Sequence, residues 1–151
     1  MTRRAATGGF SLLELLLVLV LVGIGTGLAI ASVDRLSSRM QERQWLDRTQ
    51  QQLQRLRNKA VLGERPVTAT LDFESGTLSS PAAASLTLPA GYAWQPEPGQ
   101  DDKPLRLVFL PDGTMYQAAF VMQTPSGERA QFRLQAISGR IERLPVASAN
   151  S

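Results

Sequence analysis

The sequence predicts an α+β protein: one long N-terminal helix, its first half transmembrane, packed on an antiparallel β-sheet or small β-sandwich. Three observations predict it. From Leu15 to Val33 no residue is ionisable, and only Thr26 and Ser32 are polar. From Ala29 to Leu62 neither Gly nor Pro interrupts the chain. After Pro66 the apolar period changes from helical to two, and strand-like runs separated by turn residues follow. Strands grouped after a helix, rather than alternating with helices, make an α+β arrangement.

The helix divides by composition. Residues 10–33 form the membrane segment, because at about 1.5 Å per residue the apolar run covers most of a hydrocarbon core roughly 30 Å thick. Gly23, Gly25 and Gly27 interrupt it, each costing up to ~1 kcal/mol of helix propensity, and suit either a flexible helix or close helix–helix approach. Residues 34–62 continue the helix in amphipathic form, with Leu36, Met40, Leu46, Leu53, Leu56 and Ala60 near helical spacing among Arg, Gln, Glu and Asp. Trp45 lies beside that stripe as packing, and Gln50-Gln51-Gln52 reads as solvated surface. Gly63 closes the helix and Pro66 stops it.

Residues 63–145 are expected to be β-rich. Val67 to Phe73 alternates strictly, and Glu74-Ser75-Gly76 ends it. Residues 79–104 are rich in Ser, Ala, Pro and Gly and read mostly as loop, with short strands at Leu86–Leu88 and Tyr92–Trp94. Further strands are expected at Leu105–Leu110, Met115–Gln123, Ala130–Ile137 and Arg140–Leu144. The turns between them are Pro111-Asp112-Gly113, Thr124-Pro125-Ser126-Gly127 and Ser138-Gly139. Residues 146–151 read as a disordered tail.

Composition excludes most chemistry. In 151 residues there is no Cys and no His, which removes disulfides, thiolate chemistry, the usual general base and the usual metal ligand. The balance of 16 Lys plus Arg against 13 Asp plus Glu, net +3, is mild and well mixed, which argues against a nucleic-acid partner. No Gly-rich phosphate loop occurs. Asp101-Asp102 is a lone acidic pair, whereas calcium takes six or more oxygens. No catalytic residue, cofactor or metal is expected, and the chain does not read as an enzyme.

The informative stretch is Gly8-Gly9-Phe10-Ser11-Leu12-Leu13-Glu14, after a leader carrying Arg3 and Arg4. A carboxylate in or beside a membrane segment costs roughly 2.5 kcal/mol or more, so Glu14 calls for a function. A cleaved secretory signal could find its small-residue cleavage site at Ala29-Ile30-Ala31-Ser32, whereas a twin-arginine signal using Arg3-Arg4 and a plain signal-anchor leave Glu14 without a function. The stretch resembles the type III signal of type IV pilins and type II secretion pseudopilins. In that family a prepilin peptidase cuts after the Gly, ahead of the apolar segment.

The resemblance implies that residues 1–9 are a leader peptide, that the Gly9–Phe10 bond is cleaved, and that Phe10 becomes the N-methylated first residue. It also implies that Glu14, then fifth, acts in assembly by pairing with the Phe10 ammonium of a neighbouring subunit. The fold it implies is pilin-like. Arg3 and Arg4 favour a cytoplasmic N-terminus in the inner membrane and a periplasmic soluble domain.

Within the superfamily, the lack of Cys, the segment Phe109-x-Pro111-Asp112-Gly113 and the final Gly139-Arg140 resemble the H-type minor pseudopilins, the GspH/FimT-like group. The implied function is a subunit near the tip of the type II secretion pseudopilus, helping to start assembly and to export folded proteins. Implied partners are the prepilin peptidase, other minor and major pseudopilins, the inner-membrane assembly platform, and the secretin or exoprotein cargo. The alternative is a FimT-like minor pilin of a type IV pilus, priming assembly or binding DNA. Its Gly-Arg-x-Arg pattern meets Gly139-Arg140-Ile141-Glu142-Arg143 here, with Glu142 in the place of the second Arg. Arg129, Arg133, Arg140 and Arg143 are the candidate phosphate contacts for that alternative. A third class is a membrane-anchored binding domain unrelated to filaments.

Overall fold

A computed structural model describes residues 11–146, and the side chains of all of these except 28–35. The cleavage and methylation positions, Gly9 and Phe10, lie outside the described residues, as do 147–151. The chain is α+β. Helix α1 (Leu12–Leu62) is followed by β1 (Val67–Asp72), β2 (Thr77–Ser80), β3 (Ala83–Thr87), β4 (Ala93–Pro96), β5 (Leu105–Phe109), β6 (Ala118–Gln123), β7 (Arg129–Leu134) and β8 (Ile141–Val146). By its internal contacts the chain divides into two units, residues 1–41 and residues 42–151.

In the second unit the strands make two antiparallel sheets, ordered β3-β2-β1-β5 and β4-β6-β7-β8. One core joins them to α1. Leu46, Leu53, Leu56 and Ala60 come from the helix, Val67, Ala69, Leu71, Leu78, Leu107 and Phe109 from the first sheet, and Trp94, Phe120, Met122, Phe132 and Leu134 from the second. Strand alternation explains the first sheet, where β1 buries Val67, Ala69 and Leu71 and turns Thr68 and Thr70 outward. In the second sheet Phe120 lies opposite Phe132 with ring centroids 5.2 Å apart, and Trp94 meets Phe120 edge-on at 6.5 Å. Cross-strand aromatic pairs of this kind fix register.

The helical stripe differs from the expected one. Leu36 and Met40 are exposed, whereas Glu42 and Thr49 are buried in line with Leu46, Leu53, Leu56 and Ala60. Thr49 is accommodated because its hydroxyl donates to the Trp45 carbonyl at 3.0 Å and lies 3.7 Å from the Met122 sulfur. Trp45 packs as expected, 6.0 Å from the Tyr92 ring and beneath the Arg48 guanidinium. Gln52, by contrast, is not plain solvated surface: its amide donates to the Ala84 carbonyl at 2.8 Å, and Lys59 donates to Ala82.

The helix ends at Leu62, with Gly63 N–H on the Lys59 carbonyl and Arg65 N–H on that of Ala60. Its left-handed residue is Glu64 (φ 49°). Glycine usually takes this position, because a Cβ is strained there.

Residues 79–104 are more ordered than their composition suggests. β2 and β3 form a hairpin across Pro81-Ala82, with Ser80 opposite Ala83, and Ala93–Pro96 pairs with β6. Met115 lies outside β6 in an isolated bridge to Phe109, and the segment before Ile137 leaves β7 at Leu134. β8 runs through Pro145 to Val146, which pairs with Arg129, so the expected tail does not begin at 146. The sheet edges are β3 and β5, β4 and β8. Pro81 precedes β3, Pro104 precedes β5, Pro96 ends β4, and Pro145 lies within β8.

Candidate functional site

Ser11 is the N-cap of α1. Its Oγ accepts from the Leu13 N–H at 3.1 Å, and its carbonyl accepts from Leu15 N–H at 3.1 Å. Glu14 then stands in the first turn and is exposed. Ser-x-x-Glu ahead of an apolar run is the capping-box signature. A carboxylate in the first turn is also favoured by the helix dipole, by roughly 0.3–1 kcal/mol at exposed sites. Ser11 thus caps the helix, and Glu14 stands in the first turn, where a carboxylate is favoured in its own chain. The signal was present in the spacing.

The surface that follows is apolar and exposed. Leu12 is 82% exposed, Leu19 is 67% exposed, and the large side chains from Leu12 to Ile24 are all of this kind. A Cβ added at Gly23, Gly25 or Gly27 would meet nothing within 4 Å, so no packing inside this chain requires glycine there. Thr26 satisfies its hydroxyl on the Val22 carbonyl at 2.7 Å. A continuous apolar surface of this extent is suited to lipid or to other helices. Among the described residues no helix is long and apolar enough to cross a membrane. The side chains described in this run stop at residue 27, whereas the apolar sequence continues to Val33.

Within the second unit, Glu42 is 5% exposed and is held by one turn. Its Oε1 accepts from Ser126 N–H at 3.1 Å and its Oε2 from the Ser126 hydroxyl at 2.7 Å. Hydrogen bonds to a carboxylate are strong, which lets it sit without an ion pair among the described residues. Burial, and next the Glu42 charge, raise the Tyr92 pKa above its usual value. No sequence signal distinguished Glu42 from its polar neighbours except its place four residues before Leu46.

A third feature involves two turns. Arg57 Nε donates to the Gly113 carbonyl at 2.8 Å. Gly139 (φ 61°) lies against the same carbonyl, where a Cβ would come within 2.2 Å of it. Arg57 is thus bonded to the Pro111-Asp112-Gly113 turn and lies against the Ser138-Gly139 turn. Asp112 tightens its own turn through Thr114, whose hydroxyl and N–H hold its carboxyl below the ordinary range.

The four candidate phosphate-contacting arginines divide between surfaces. Arg143 lies opposite Phe132, on the face toward α1, and pairs with Asp47 at 2.6 Å. Arg129 and Arg133 occupy the other face of β7 and donate to Gln95 and Gln131. Glu142 stands opposite Arg133. Arg140 lines a separate cleft. Asp101 is paired with Lys103 at 2.9 Å, and no group of three or more acidic residues that could hold a metal ion occurs among the described residues. Comparison with family models, with curated proteins and with solved structures finds no match.

Proposed function

We propose that this chain is a minor pseudopilin of a type II secretion system, H-type, with a pilin-like fold and the first half of α1 in the inner membrane. The observation that carries the reading is the start of α1. A Ser11-capped first turn presents an exposed Glu14, four residues after Phe10, at the base of a wholly exposed apolar surface. After cleavage at Gly9–Phe10 the new ammonium lies one residue before the cap, where the dipole disfavours a cation. The carboxylate of a neighbouring subunit's Glu14 relieves that, which couples processing to assembly and sets the axial offset between helices.

The subunit acts near the tip of a periplasmic filament that moves folded proteins toward the secretin, with other pseudopilins and the assembly platform as partners. It performs no catalysis; the prepilin peptidase acts on it. The FimT-like alternative is less well supported, because its second phosphate-contacting position is Glu142, opposite Arg133.

The test is mass spectrometry of the chain co-expressed with a prepilin peptidase. The expected product lacks residues 1–9 and carries a methyl group on Phe10. Glu14→Ala should be cleaved normally yet recovered with partner subunits several-fold less efficiently. An uncleaved N-terminus would sink the reading in favour of an anchored binding domain. Undiminished recovery of the Glu14 variant would sink the assembly role.

A further inference from the structure

The side chains of Gln54, Arg57 and Asn58 project from one face of α1, at helical spacing, into a cleft of about 400 Å³ closed on the other side by Gly139, Arg140 and Ile141. We infer that this cleft binds a small oxyanion, a phosphate or carboxylate group. The inference does not rest on the filament reading.

The lining carries two guanidinium groups and two side-chain amides, and no acid. Arg57 spends its Nε on Gly113, and among the described residues its two Nη groups make no hydrogen bond or ion pair. The Arg140 guanidinium and the amides of Gln54 and Asn58 also have no partners there, and no Asp or Glu lines the cleft. Two cations therefore share a concavity without a counter-charge.

Arg57 is also held in place. A Cβ on either Gly113 or Gly139 would stand 3.0 Å from its Nη2, so the guanidinium lies flat against both glycine backbones. A fixed fork loses little freedom on binding, and guanidinium geometry matches carboxylate and phosphate oxygens. Arg140 is exposed, so the cleft is reached from solvent. A cleft of this size admits the anionic group together with part of the small molecule that carries it.

The experiment titrates the ¹⁵N-labelled full chain, in detergent micelles, with sodium phosphate and separately with acetate. Each titration is matched against sodium chloride at equal ionic strength. The readouts are the Arg57 Nε–H and the Gly139 and Arg140 amide resonances. Saturable shifts with phosphate are expected, and acetate acting on the same resonances would identify a carboxylate as a second natural ligand.

Arg140→Gln should weaken binding at least tenfold. So should Asn58→Asp, which puts a negative charge in the cleft and leaves the Arg57–Gly113 bond intact. Shifts that follow ionic strength alone, or that persist in both variants, would overturn the inference. So would an oligonucleotide that binds through Arg140 when phosphate and acetate do not.

Discussion

The two parts of α1 are built from the same backbone and opposite rules. Residues 11–27 expose every large apolar side chain, while the stretch from Glu42 to Ala60 buries a single stripe that includes two polar residues. In the first part hydrophobicity runs around the whole helix, so no single face is specified. In the second, position on the helix decides. Thr49 is buried because its place in the stripe demands it, and its hydroxyl is satisfied by the Trp45 carbonyl. Hydrophobicity alone thus does not decide which residues of the second part are buried.

The largest expected effect separates the two directly. Leu53→Ala should cost about 2–5 kcal/mol, since Leu53 has no exposed surface and its loss leaves a cavity. Leu19→Ala should leave the thermal unfolding of the β-rich unit unchanged. Equal losses in the two variants would break the comparison.

A smaller effect tests the buried carboxylate. Glu42→Ala removes both Ser126 hydrogen bonds to the carboxylate and should cost about 1.5–3 kcal/mol in denaturant unfolding. Glu14→Ala should cost that unit nothing.

Smaller again, and confined to the first part, Ser11→Ala should fray the start of α1 by about 1 kcal/mol. Faster amide exchange at Leu13 and Leu15 would register it. At the other end of the helix, Glu64→Gly should stabilise by about 0.5–1 kcal/mol, because glycine adopts the left-handed conformation without strain.

The smallest effect is electrostatic. The Tyr92 pKa is raised, so its contribution to stability is complete below the ordinary value of 10.0 and is lost as pH rises through the folded value. Glu42→Gln should lower the Tyr92 midpoint part of the way, leaving the larger share due to burial. Ultraviolet titration of the phenolate would read it.

Much of this architecture was legible in the sequence. The helix from its first apolar residues to Leu62, and the alternating strands at 67–72 and 105–109, follow from period alone. The β2–β3 hairpin was not, because small residues such as Ala83, Ala84 and Ser85 carry no pattern. What holds that hairpin comes from a distant element, through Gln52 and Lys59. Glu42 was illegible for the opposite reason: a polar residue in an apolar stripe looks like an interruption until its partner, Ser126, folds onto it. Arg57 has no local signature, since both turns it meets lie more than fifty residues away. Gly113 and Gly139 read as ordinary turn glycines, and only the close approach of the two backbones gives Gly139 a second reason to lack a side chain. At the N-terminus the Ser11 cap was legible too, in the Ser-x-x-Glu spacing ahead of the apolar run.

The prolines at the sheet edges bear on how copies of this chain meet. A bare edge strand offers a row of free donors and acceptors to any other edge. Here β4 and β8 contain a proline, and β3 and β5 are five-residue strands that begin just after one. The far end of β5 is further occupied by Met115 and by Tyr116, whose N–H bonds to Val108. No edge therefore presents a long unbroken ladder. Pairing of one sheet edge with another is thus disfavoured at all four edges.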